Sequence, residues 1–175
     1  MCRVLALTTL MVGCLAFAGS SSATTLKDVK VEVRVLDFVG GPVEGSPYLG
    51  IVYDPQNRES LADAQTIESW FGNGDVKARN AWVPVLADVH RLGELPGFRA
   101  AILADGMGGF ADVVLDYARR YATLTISSDL ACVRAGKCAV GVSSLPRVEV
   151  ILSRQASQLA GVSFPESFRM MVTEY

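Results

Sequence analysis

The sequence has one histidine, His90, and no G-x-S-x-G motif. The nucleophile elbow of an α/β-hydrolase is therefore missing. His90 has Asp88 two positions before it but no serine motif to serve, and beside Arg91 it reads as a surface residue. Glu44, Glu68 and Glu149 have no spacing that implies paired acid–base work. No catalytic constellation emerges, and the sequence is read as that of a non-enzyme with no cofactor. There is no excess of positive charge: 16 Lys and Arg stand against 18 Asp and Glu. Nothing in that balance favours nucleic acid or an anionic lipid surface as partner.

Beyond the N-terminus no stretch is apolar enough to span a membrane. The first residues, MCRVLALTTLMVGCLAFAGSSSATT, have the order of a secretory signal. Arg3 supplies the positive region, Val4 to Ala18 the apolar core, and Ser21-Ser22-Ala23 the small-x-small cleavage pattern. A core of about 15 residues is short for a membrane helix, which needs roughly 20. Ala16-Phe17-Ala18 offers a second cut, and Met11-Val12-Gly13-Cys14 resembles a lipoprotein box with Met where Leu is usual. The expectation is a leader over residues 1–23, cleavage after Ala23, and an exported, periplasmic domain over 24–175. That domain has 15 basic against 18 acidic residues, a net charge of −3.

Cysteine is also scarce. Cys2 and Cys14 leave with the leader, so only Cys132 and Cys138 remain, in ACVRAGKC. Zinc normally needs four protein ligands, and the lone histidine is far away in sequence. The spacing is not Cys-x-x-Cys. In an oxidising compartment such a pair is most simply a disulfide. Closing a loop of about seven residues contributes roughly 2.4 kcal/mol in the chain-entropy account.

What is present is alternation of strands and helices. In LKDVKVEVRVL, Val29, Val31, Val33 and Val35 alternate with charges, as in a strand, while Leu26, Val29, Val33 and Leu36 fit a helix face. Local propensity favours the strand, and Gly40-Gly41-Pro42 ends either element. YLGIVYD reads as a buried strand, and Ser60 as the cap of a helix with Ala62, Ile67, Trp70 and Phe71 on its apolar side. Gly72-Asn73-Gly74 stops that helix. AWVPVL (81–86) is a strand that Pro84 assigns to an edge, and DVHRLGEL a short helix. FRAAILA (98–104) is a buried strand, followed by a helix over 110–121 with Val113, Val114, Tyr117 and Tyr121 inward. Strands follow at 122–127, 138–142 and 147–152, the last two antiparallel, and two short helices close the chain. The pattern predicts one compact α/β domain with a mostly parallel sheet flanked by helices, an antiparallel C-terminal strand pair and a C-terminal helix.

Two loops carry polar candidates. Asp105, Gly106, Gly108 and Gly109 lie between a strand and a helix in DGMGGFA, a loose form of the dinucleotide turn. The acidic partner expected about 20 residues on could only be Asp129, so a tight turn or a small polar ligand competes with a nucleotide. Ser127 and Ser128 end the next strand and belong beside that turn in a parallel sheet, unless Ser127-Ser128-Asp129 only caps the helix LACV. Asp54 and Asn57 end YLGIVYD on the same edge.

Several segments together resemble the YfiR-like family of small periplasmic proteins. Phe38-Val39-Gly40-Gly41-Pro42 is similar to an early F-V-x-W-P segment without its tryptophan, and LGIVYDP to the next strand. ATLTISSDLACVRAGKCAVGV resembles the family's strand, loop and Cys-containing return strand, and PRVEVILSRQASQLAGVSF its closing strand and helix. Ile151 replaces a usual asparagine, Pro165 and Glu166 stand where serines are frequent, and an earlier cysteine pair is missing. The resemblance implies a helix over the first segment, against the local strand reading. It also implies a non-catalytic regulator that represses the sensor domain of an inner-membrane signalling protein, often a diguanylate cyclase, with redox state and small ligands as tuning inputs. Phe164, Phe168 and Met170 in the last helix are the candidate partner contacts, with sealing of the sheet by Phe164, Phe168 and Met171 as the alternative. A homodimer is compatible with this reading. The competing class is a single-lobe periplasmic solute-binding module serving a transporter or receptor.

Overall fold

The computed structural model describes residues 23–38, 48–79 and 81–175. Most of the expected leader and the Gly40-Gly41-Pro42 stop lie outside the described residues. Among those described, no helix is long and apolar enough to cross a membrane.

Helix α1, Leu26–Leu36, resolves the first ambiguity against the strand reading. Thr25 caps it: its side chain accepts from the Asp28 backbone N–H, and the Asp28 carboxylate accepts from the Thr25 N–H. This capping box satisfies two backbone donors that a helix start otherwise leaves unpaired. The helix turns Asp28, Val29, Glu32, Val33, Val35 and Leu36 inward and leaves Lys27, Lys30 and Arg34 exposed. A strand would have put the acids and bases on one face together. The helix separates them.

Strand β1 (Tyr48–Tyr53) leads to α2 (Arg58–Gly72), β2 (Val83–Asp88), a 3₁₀ turn over Val89–Glu94 and β3 (Ala100–Leu103). Then come a 3₁₀ turn over Met107–Phe110, α3 (Ala111–Tyr121), β4 (Leu124–Ser127), α4 (Leu130–Arg134), β5 (Val140–Ser143) and β6 (Glu149–Leu152). Helices α5 (Arg154–Leu159) and α6 (Glu166–Arg169) and the two-residue β7 (Thr173–Glu174) close the chain. The sheet order is β2-β1-β3-β4-β5-β6-β7. β1 to β5 are parallel, β6 is antiparallel to β5, and β7 is parallel to β6. This is the expected single α/β domain with its antiparallel C-terminal pair. The edge strand predicted from Pro84 is β2, although it runs over 83–88 rather than 81–86.

Two apolar clusters lie on opposite faces of the sheet. One packs Val29 and Val33 of α1 and Ala64 and Ile67 of α2 on Leu49, Ile51, Ile102 and Ile126. The other packs Leu92, Val114, Tyr117, Cys132, Val133 and Cys138 on Val52, Ala101 and Leu103. Local details depart from the sequence reading. Asn57, not Ser60, caps α2, accepting from the N–H groups of Glu59 and Ser60. Ala62 is exposed, and the buried side of α2 instead includes Ser60 and Asp63. In α3, Val114, Leu115, Tyr117 and Ala118 face inward, whereas Val113 and Tyr121 lie on the exposed side. Segment 89–94 is 3₁₀ rather than α, and β7 has too few residues to leave a periodic signature.

Candidate functional site

The parallel strands end together, and their carboxyl ends build the site. The order β2-β1-β3 reverses the direction of chain winding between β1 and β3, and ligands in such sheets sit outside the carboxyl ends near that reversal. Here β3 runs into Asp105 and the glycine turn, and β4 ends at Ser127 and Ser128. Asp105, Gly106, Gly108, Gly109, Ser127 and Ser128 all line one open cleft of about 650 Å³, together with Asp129 and Arg134. Six residues chosen from two separate loops of the sequence thus share one surface.

Gly106 stands at φ +77°, a left-handed conformation that favours glycine. Its N–H donates to the Asp105 carboxylate at 2.8 Å, and the Asp105 N–H donates to Asp63 Oδ2 at 2.9 Å. Across the cleft, Ser127 Oγ accepts from the Asp129 N–H, and Asp129 Oδ1 accepts from the Ala131 N–H to cap α4. The capping reading of this loop therefore holds for Asp129, while both serines still border the cleft. A pyrophosphate at the glycine turn would meet carboxylates at Asp105 and Asp129, with Arg134 as the lining cation. Like charges in one partly enclosed space disfavour the anion, and this chemistry suits a small polar ligand that carries donors or a positive group.

Asn57 and Asp54 belong to the same edge. The Asn57 amide reaches the glycine turn so closely that a β-carbon on Gly106 would lie 2.6 Å from Nδ2. Asp54 Oδ1 lies 3.1 Å from His90 Nε2, and the His90 ring meets Phe110 edge-on at 5.2 Å between centroids. His90 is 37% exposed, as a surface residue should be, yet it ties β1 to the turn that precedes α3. The sequence reading missed this pair because 36 residues separate its members.

The disulfide is present. Cys132 in α4 and Cys138 just before β5 are linked, with Cα atoms 5.4 Å apart and both residues buried. It forms one wall of the cleft through Cys132.

The last helix divides the candidate partner contacts. Phe168 is 3% exposed and packs between Phe38 and Phe164, each at 5.0 Å between ring centroids. Phe164 is half-buried against the core. These two rings seal the sheet, the alternative weighed for them, and Phe168 has no free face for a partner. Met170 is 76% exposed and Met171 65%.

A second polar site has no counterpart in the sequence reading. Asp63, 7% exposed, accepts from the Thr24 N–H at 3.1 Å, the Thr24 hydroxyl at 2.9 Å and the Asp105 N–H. The Thr24 hydroxyl also meets Ser128 Oγ at 3.2 Å. Glu32 is fully buried, and neither of its carboxyl oxygens has a hydrogen-bond partner. Burial, then the charges of Asp28 and Asp63, push its carboxyl up to about 8. Burial raises Asp63 as well, against the hydrogen bonds from Asp105 and Thr24. The available signal was the four-residue step from Asp28 to Glu32 beside Val29 and Val33, which puts two acids on the apolar side of a helix.

No known family's sequence pattern matches the chain, and no curated protein is significantly similar to it. Solved structures do share its fold. One is a conserved domain protein from Vibrio cholerae O1 biovar El Tor, 12% identical, with a TM-score of 0.58 over 83% of this chain and 59% of that one. Another is an ABC domain in complex with L-Trp from Streptococcus pneumoniae, 9% identical, with a TM-score of 0.58 over 84% of this chain and 60% of that one. This chain spans about three fifths of the length of either, and at such identities the likeness is one of fold alone.

Proposed function

We propose that this protein is a non-catalytic regulator: it takes a small polar ligand in the cleft at the carboxyl ends of β3 and β4 and holds the sensor domain of an inner-membrane signalling protein, a diguanylate cyclase, in its inactive state. One observation carries the ligand half. The six loop residues singled out by their chemistry line a single cleft outside the carboxyl ends of β3 and β4, the edge of the sheet at which α/β folds bind ligands and one strand from the reversal between β1 and β3. The partner half follows from the YfiR-like resemblance, with Met170 and Met171 as exposed apolar contacts on the C-terminal segment. Regulation requires only that the complex with one sensor conformation be more favourable than with the other. A ligand at Ser128 or Asp105 would bias that choice through the surrounding loops.

The test combines gene deletion with capture from membranes by the tagged exported protein. The expected result is a rise in cyclic dinucleotide output on deletion and recovery of a membrane cyclase. The second reading, a single-lobe solute-binding module for a transporter or receptor, is supported by the same cleft. Unchanged signalling together with lost uptake of a small solute would establish it instead.

A further inference from the structure

Three carboxyl groups converge beneath the start of α1: Asp28 and Glu32 from α1 itself and Asp63 from α2, each at most 7% exposed. Among the described residues no lysine or arginine forms an ion pair with any of them. The nearest base in sequence, Lys27, donates instead to the Ser144 carbonyl. Both Glu32 oxygens and Asp28 Oδ1 are buried without a partner. Such groups are costly in a folded protein even when neutral. Buried acids are normally matched by a cation or by donors.

Three backbone donors reach this cluster, the Asp105 N–H on Asp63 and two consecutive ones at the start of α1. The Thr24 N–H points at Asp63 and the Thr25 N–H at Asp28. Thr24 is also the residue that follows the Ser21-Ser22-Ala23 cleavage pattern. We propose that Thr24 is the first residue of the mature protein and that its α-ammonium group is the counter-charge of the Asp28–Glu32–Asp63 cluster, so that removal of the leader locks α1 onto the domain. The inference rests on the leader read from the sequence and does not depend on the cleft's ligand or on the signalling partner.

The chemistry is a single hydrolysis by an endopeptidase of the export machinery. Water breaks the Ala23–Thr24 peptide bond, Ala23 leaves with the hydroxyl as a carboxylate, and the Thr24 nitrogen keeps its hydrogen and becomes a protonated primary amine. A peptide nitrogen offers Asp63 one donor and no charge. An ammonium offers three donors and a full positive charge at the same place. In the uncleaved chain Thr24 is 5% exposed and its N–H already donates to Asp63, so cleavage would create the charge beside that carboxylate, where Coulomb attraction is stronger than in water. The same Thr24 side chain touches Asp63 and Ser128, so the lock lies against the rim of the cleft.

The experiment starts from the full-length gene and the exported protein it yields. Intact-mass analysis reads the first residue, and acylation by an amine-reactive reagent then compares the α-amine of the folded protein with that of the urea-unfolded one. The expected result is a chain that starts at Thr24, with an α-amine at least about tenfold less reactive when folded. Asp63→Asn should restore the reactivity, and a single glycine inserted between Ala23 and Thr24 should lower the melting temperature by moving the ammonium one residue away. Should Asp63→Asn fail to fold, the folded-against-unfolded comparison in the native sequence decides alone. A chain that starts at Gly19, a retained leader, or a Thr24 amine as reactive folded as unfolded overturns the proposal.

Discussion

Gly106 and Asn57 are held so closely that a β-carbon on Gly106 would lie 2.6 Å from Asn57 Nδ2, and any side chain there obliges the Asn57 amide to shift. The left-handed φ of Gly106 adds a backbone cost of roughly 1–2 kcal/mol for any L-residue. Gly106→Ala should therefore destabilise the protein by about 1–2 kcal/mol in urea denaturation and weaken ligand binding at the cleft further, because Asn57 must move. Gly109, with open space around it, should accept alanine with little change in stability.

Replacing both Cys132 and Cys138 by serine should lower stability by about 2 kcal/mol while leaving the fold intact. Non-reducing peptide mapping should find the two residues linked, as they are in the structure. Two free thiols in the purified native protein would contradict it. Reduction should also loosen the cleft wall that Cys132 provides, visible as faster amide exchange over residues 130–138.

Two positions at the C-terminal end of α6, Phe168 and the cap residue Met170, should respond oppositely to substitution. Phe168→Ala removes a ring buried against Phe38 and Phe164 and should cost roughly 3–4 kcal/mol. Met170→Lys changes an exposed side chain and should shift stability by less than about 0.5 kcal/mol. A folded Met170→Lys protein that no longer represses signalling would place the partner on this surface, and full repression would exclude Met170 from it.

Glu32 makes stability depend on pH. Its folded carboxyl titrates near 8 and an ordinary one near 4.5, so between those values the folded chain holds a proton that the unfolded chain has lost. Stability falls as pH rises through this window, by up to about 1.4 kcal/mol per unit, and is flat above it. Denaturation at pH 5, 6, 7 and 8 should show this slope, and Glu32→Gln or Glu32→Met should flatten it. The ammonium proposed at Thr24 would favour the ionised carboxyls and lower the folded value of Glu32, so the slope should be steepest in a chain that keeps its leader.

Glu174 shows the opposite sign. Hydrogen bonds from Arg169 and Arg154 hold its carboxyl down to about 2. The stability it adds is present above the ordinary 4.5 and is lost as pH falls toward 2. Both arginines are largely exposed, so Glu174→Gln should cost no more than about 1 kcal/mol, and amide exchange should report it at β7 first.

The sequence by itself determined the α/β class, the antiparallel C-terminal pair, the edge position of β2, the disulfide and the membership of the cleft. Each depends on a signal that is local or set by chain order. Alternating strands and helices prescribe parallel pairing, Pro84 cannot donate within a central ladder, six residues separate two cysteines, and parallel strands bring their carboxyl ends to one edge. Tertiary structure decided the rest. In α1 a two-residue and a 3.6-residue period coexist, and the helix prevails because Thr25 and Asp28 cap it and its acids face α2 rather than water. Phe168 and Met170 lie two positions apart with opposite burial, because Phe38, just after α1, arrives to cover one while the other stays 76% exposed. The bonds between Asp54 and His90 and between Thr24 and Asp63 join residues 36 and 39 positions apart. Only the folding of β1, β2, α1 and α2 against one another creates them, since neither partner carries a local mark of the other.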